Sequence, residues 1–199
     1  AGEELWVLGR WENNQSYGMQ IRAEKFTRSQ PVTERGMLAY LASGAIKGVG
    51  RATAMRISDS FGVRALEIIE NEPDRLSTIR GISAEKAREI GEEFRRIQGL
   101  RELMAYLGAF GIQPESAALL WGQYGEESLS IVQGDPYVLC GPAVGLSFRL
   151  ADIIAQSMEL PGDDMSRVMA GIVYVLRHNL NNGHSCLPKK ALIETAARM

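Results

Sequence analysis

The 199-residue chain contains no Gly-Lys dipeptide, so the GxxxxGK[ST] loop that cradles ATP phosphates is absent. It has two cysteines, Cys140 and Cys186, and two histidines, His178 and His184. The cysteines stand in no metal or redox spacing and suit a reducing, cytoplasmic setting. The histidines flank "NLNNG", which suits a surface or turn better than metal ligation. No apolar run approaches the roughly 20 residues of a membrane helix, which argues against a membrane partner. No nucleophile–base set is visible, so no catalytic residue, metal ligand or cofactor site is expected within these residues. The N-terminus, "AGEELWVLGR", lacks both Met and a charged-then-apolar leader. A fragment of a longer protein is therefore expected.

Positive charge is scarce in one block. Residues 103–165 hold one basic side chain, Arg149, and eight acidic ones. Residues 44–102 hold eleven basic and ten acidic. The net charge of −2 argues against a uniformly basic nucleic-acid binder. An anionic partner should avoid the acidic block.

Residues 5–11 and 19–26 read as strands around the turn "NNQSYG". Two strands alone are marginal, so 1–33 is expected to finish an OB-like β-domain. From residue 34 onward apolar residues recur at three and four, as in Met37, Leu38 and Leu41, and Gly- or Pro-bearing turns interrupt them. The expected fold is mainly α: a bundle of short helical hairpins over 34–102 and 103–163. Residues 164–199 read as helix, short strand and helix, compatible with a winged-helix-like element or with a plain connector. Asp163 and Asp164 read as helix-start acids.

The stretch "AIKGVGRATAMRI" is one copy of a repeat. Gly48 is followed by Val49, by Ala54 six residues on and by Ile57 nine on. Gly81, Gly111 and Gly145 carry Ile82, Ile112 and Leu146, then Ala87, Ala117 and Ala151, then Ile90, Leu120 and Ile154. A longer repeat overlies these: Ala54, Phe61, Gly62, Pro73 and Leu76 match Ala117, Tyr124, Gly125, Pro136 and Leu139 at a constant offset of 63. We read a duplicated unit of two helix–turn–helix elements.

Each frame resembles a helix–hairpin–helix motif, whose pattern is apolar–x–Gly–apolar–Gly followed by a helix. "IKGVG" matches it in full. Gly48 and Gly50 are expected to take positive φ and bare their N–H groups, with Val49 pinning the turn from inside. The helix start beyond Gly50 then offers amides and a positive dipole end to a phosphate, and Lys47 and Arg51 add charge. In "IRGISAEKA" Ser83 replaces the second glycine and is expected to cap the helix. Arg80, Gly81, Ile82, Ser83 and Lys86 complete that second candidate, with Arg88 nearby. The third frame puts Pro114, which has no N–H, in its turn, and the fourth keeps only Arg149. Frames three and four are expected to pack helices or to face a protein partner.

With "GRWENNQSYGMQIRAEKF", "YLASGAIKGVGRATAMRI", "IENEPDRLSTIRGIS" and "GDPYVL…VGLSFRLADIIA", the chain resembles the N-terminal region of long RecD-like (RecD/TraA-type) bacterial DNA helicases. The resemblance implies an OB-like β-domain, tandem hairpins and then a superfamily 1 motor of 5′→3′ polarity, acting in DNA repair or recombination. It also implies DNA as partner, as single strand, duplex or junction, with replication or repair proteins beside it. ATP and Mg would serve the motor of the full-length protein. Tandem hairpins also occur in RuvA-like and ligase-like proteins, and a scaffold with purely structural hairpins is the other reading.

Overall fold

The computed structural model describes residues 2–198, without the side chains of Lys25, Phe26 and Arg28. Strands β1 (Glu4–Asn14) and β2 (Gly18–Ser29) pair antiparallel, with a bulge between Leu8 and Gly9. Asn14 Oδ1 closes their turn by accepting from the Ser16 and Tyr17 amides. No described residue covers the large apolar side chains of this hairpin: Trp6 is 70% exposed and Trp11 66%.

Nine helices follow among the described residues. They are α1 (Glu34–Leu41), α2 (Arg51–Phe61), α3 (Ala65–Asn71), α4 (Ala84–Gly108), α5 (Pro114–Tyr124), α6 (Ser128–Gly134), α7 (Phe148–Ser157), α8 (Met165–Asn181) and α9 (Lys189–Ala196). No helix is long and apolar enough to cross a membrane. The chain divides into two compact units at Ile97/Gln98, a junction inside α4.

The duplication is visible in the elements. α2 and α5 start 63 residues apart, as do α3 and α6. Gly62 and Gly125, at φ 54° and 56°, end α2 and α5 alike. Local chemistry sets several starts. The Thr33 side chain caps α1 by accepting from the Gly36 amide, Pro114 opens α5, and Asp164 caps α8 by accepting from the Ser166 and Arg167 amides. The first limbs of hairpins two and four are not α-helices but 3-10 turns, Pro73–Thr78 and Pro136–Cys140. Each is too short to gain much from α-helical bonding once proline has removed one amide.

The first unit buries Met37, Leu41, Ile57, Ile69, Ile90 and Phe94 in one core. The second unit has its own, around Leu103, Leu107, Leu120, Leu139 and Ile154. The repeated alanines Ala54, Ala87, Ala117 and Ala151 are all at 0% exposure, as are the aliphatics three residues on. Each of those aliphatics contributes about 1.5–3 kcal/mol by burial, whereas the alanines let helices approach. The short strand expected between α8 and α9 is not formed: residues 184–188 have no strand partner among the described residues.

Candidate nucleic-acid interface

Turn 1 joins α1 to α2. Ile46 and Val49 plug it from inside, each almost fully buried, and the Val49 amide donates to the Ile46 carbonyl at 3.1 Å. Gly48 sits at φ 89°, a conformation that favours glycine. Gly50 corrects an expectation: its φ is −82° and its ψ 171°. It is the residue just before the helix, where extended backbone is the rule. A Cβ on Gly50 would meet nothing within 4 Å. Glycine there keeps bare backbone open to solvent rather than permitting the turn. Among the described residues the amides of Gly50, Arg51 and Ala52 meet no protein acceptor, and the first bond back to the turn is Ala54 N–H to the Gly50 carbonyl.

Turn 2 joins the 3-10 turn Pro73–Thr78 to α4 and repeats the arrangement. Gly81 has φ 91°, and the Ile82 amide donates to the Ile79 carbonyl at 3.1 Å. The expected cap is present, since Ser83 Oγ accepts from the Lys86 amide at 3.1 Å. The amides of Ser83, Ala84 and Glu85 are left outward without an acceptor among the described residues.

Turns 3 and 4 keep the positive-φ glycines Gly111 and Gly145 but use their amides internally. Gly111 donates to the Gly108 carbonyl at 3.0 Å and Gly145 to that of Gly141 at 2.8 Å. The Leu146 amide donates to the Leu139 carbonyl. No side chain lies within 4 Å of where a Cβ on Gly111 or Gly145 would stand. Arg149 is exposed.

The cations separate the units further. Lys47, Arg51 and Arg80 form no ion pair with a carboxylate among the described residues. Most arginines nearby are engaged: Arg88 with Asp74 at 3.0 Å, Arg75 with Glu72, and Arg96 with Glu93 through two bonds of 2.9 Å. Arg96 holds the Glu93 carboxyl below the usual carboxylate range against the opposing pull of burial, and the positive charge of Lys47 adds to the lowering. Lys86 Nζ bonds Glu89 at 2.9 Å and stands 2.5 Å from where a Cβ on Gly48 would be. Arg56, absent from the sequence reading, donates from Nη1 to the Arg80 carbonyl at 3.0 Å and stands 2.7 Å from the corresponding point on Gly81. Its only sequence signal was a cation within nine residues of a turn glycine; which turn it reaches is decided by tertiary packing.

The second unit carries a different feature. A groove of about 510 Å³ lies beside turn 4, between the 3-10 turn Pro136–Cys140 and α8, with Leu146, Phe148, Met169, Val173, Tyr174 and Arg177 on its walls. Phe148 stacks with Tyr137 and lies 5.9 Å from Tyr174. Burial pushes the Cys140 thiol up to about 11, an inert thiol at neutral pH.

Comparison with known proteins follows the same division. A family model described as the ATP-dependent RecD2 DNA helicase HHH domain matches residues 96–186, and one described as a SAM-like helix–hairpin–helix tandem matches residues 40–96. The chain is 29% identical over 183 residues to the ATP-dependent RecD2 DNA helicase of Deinococcus radiodurans, covering 89% of this chain. The match spans 25% of that relative's length. No solved structure gives a significant match. The matches make the chain similar to tandem helix–hairpin–helix regions, and over residues 96–186 to that of RecD2-type helicases.

Proposed function

We propose that this region is a DNA-binding accessory part of a RecD-like helicase and that its first unit holds the phosphate backbone without reading bases. The observation that carries this reading is the contrast between turns. Turns 1 and 2 leave the Gly48 and Gly81 amides without an acceptor among the described residues, and Lys47, Arg51 and Arg80 stand there outside any ion pair. Turns 3 and 4 spend the Gly111 and Gly145 amides internally and have Arg149 as the one basic residue of 103–165, although the helix-start amides of turn 4 are open too. Amides and dipole ends recognise phosphate, not base identity. A superfamily 1 motor of 5′→3′ polarity, with ATP and Mg bound outside these residues, a cytoplasmic location and a role in repair or recombination complete the proposal. The uncovered β1–β2 hairpin supports an OB-like β-domain on this side of the hairpins. Titration of labelled duplexes of equal length and unrelated sequence tests the reading. Equal affinities that weaken with salt are expected, with about 0.9 log units lost per log unit of salt for each phosphate contact. A strong preference among sequences would sink it. The groove beside turn 4 favours a second reading for the second unit alone: a surface that faces protein.

A further inference from the structure

Each of the first two turns carries, over its positive-φ glycine, a cation supplied by the other hairpin. Lys86 belongs to α4, the helix after turn 2, yet its ammonium stands over Gly48 of turn 1. Arg56 belongs to α2, the helix after turn 1, yet its guanidinium stands over Gly81 and bonds the Arg80 carbonyl at turn 2. The crossing follows from the core. Ala54 and Ile57 of α2 pack in one cluster with Ala87 and Ile90 of α4, all fully buried, so the exposed face of each helix flanks the other's turn. In the second half of the duplication the aligned positions are Leu119 and Leu150, and nothing lies over Gly111 or Gly145. The crossed cations are therefore a property of the first unit and not of the fold.

We propose that turns 1 and 2 form one composite backbone site with crossed charge, in which Lys86 completes the phosphate cradle of turn 1 and Arg56 completes and positions that of turn 2. This rests on the reading of the first unit as a grip on DNA. Turn 1 then offers the Gly50, Arg51 and Ala52 amides with the Arg51 and Lys86 charges. Turn 2 offers the Ser83, Ala84 and Glu85 amides with the Arg80 and Arg56 charges. The Lys86–Glu89 pair is no obstacle, because both side chains are well exposed, at 40% and 56%, and such pairs hold weakly. A phosphate oxygen already bonded by amides is the stronger partner. Since both cradles stand on one core, they take two phosphates at a fixed separation, which selects a polynucleotide over free phosphate.

The test is a set of double-mutant cycles on the 199-residue chain, read by binding to a fluorescein-labelled mixed-sequence duplex, with folding matched by circular dichroism. R51A, R80A, R56A and K86A are each expected to weaken binding by about tenfold. R51A with K86A should lose far less than the product of the two, because both serve one phosphate, whereas R80A with K86A should multiply to about a hundredfold. R56A should couple to R80A and multiply with R51A. The opposite pattern, with Lys86 coupled to Arg80 and independent of Arg51, would show that each hairpin serves its own turn and would overturn the crossing. Loss in R51A with none in K86A overturns the crossing alone. No loss in either R51A or R80A overturns the underlying DNA reading. Inorganic phosphate at matched ionic strength should displace no more duplex than chloride does; stronger displacement would mean independent free-phosphate sites and would also overturn the composite site.

Discussion

At the scale of the residue, two glycines two positions apart are there for different reasons. Gly48 holds φ 89° beneath the Lys86 ammonium, so alanine there meets both backbone strain and a side chain that must move. Gly48→Ala should lose about 1–3 kcal/mol of stability. Gly50 is extended and faces open space, so in Gly50→Ala the gain of about 0.4–1 kcal/mol from a less mobile unfolded chain is opposed by the preference for glycine over alanine at a helix start, and stability should change by less than about 1 kcal/mol. The same methyl group stands where a phosphate would approach the Gly50 and Arg51 amides, so DNA affinity should fall. Thermal melting and duplex titration on both variants separate the effects. If Gly50→Ala binds as tightly as the parent, the phosphate does not come to this amide.

At the scale of the element, α8 is tied to hairpin four by a polar cluster. Arg167 of α8 donates to Asp152 of α7 at 2.8 Å and 3.3 Å, and Tyr137 donates its hydroxyl proton to the same carboxylate at 2.6 Å. Burial pushes the Asp152 carboxyl up, but the bonds from Arg167 and Tyr137 outweigh it and hold it below the usual range. A depressed folded value means stability that is present above the unfolded value of about 3.9 and lost as pH falls through the folded one. Asp152→Asn should cost about 2 kcal/mol at pH 7, less than a fully buried pair because both side chains keep some exposure. In denaturant melts repeated at acid pH, below that range, the gap between variant and parent should close. A gap that persists would mean the carboxylate charge is not what binds α8. This cluster also marks what sequence could and could not reveal. The hairpins were legible because a turn glycine, a close-packed alanine and a core aliphatic are local demands that recur at fixed spacing, and the offset of 63 survives into α2 and α5. Asp152, Arg167 and Tyr137 were not legible as a set, since nothing in spacing says that residues from three elements converge. Arg56 was missed for the same reason, and Gly50 was misjudged because a glycine reads alike whether it bends the chain or bares it. The strand expected near Cys186 was suggested by local pattern, but a strand also needs a partner to take its backbone bonds.

At the scale of the whole molecule, charge is divided in the way the proposed DNA grip requires, although the total hides it. The unit ending at Ile97 has fifteen cations and fourteen acids, and the unit from Gln98 has seven and ten. A net charge of −2 would seem to repel DNA, but screening confines exposed charges to about 8 Å at physiological salt. What a phosphate meets is therefore the local set: Lys47, Arg51 and an open Gly48 amide at turn 1, against Arg149 alone and a Gly145 amide already bonded at turn 4. Reversing both Lys47 and Arg51 to Glu should weaken duplex binding by about a hundredfold or more, since each charged hydrogen bond lost is worth about 1.5 kcal/mol or more. It should do so equally for unrelated sequences and lower the salt slope by one to two contacts' worth, at about 0.9 per contact. Reversing Arg149 to Glu should change affinity less than about twofold, because a screened charge in an acidic block adds little. Fluorescence titration across a series of salt concentrations reads all three quantities, and all variants carry their changes at exposed positions, so folding should persist and can be checked by melting. If the Arg149 reversal weakens binding as much as the turn 1 reversal does, the second unit is itself a DNA surface, and the ranking of turns by free amides and free cations is wrong.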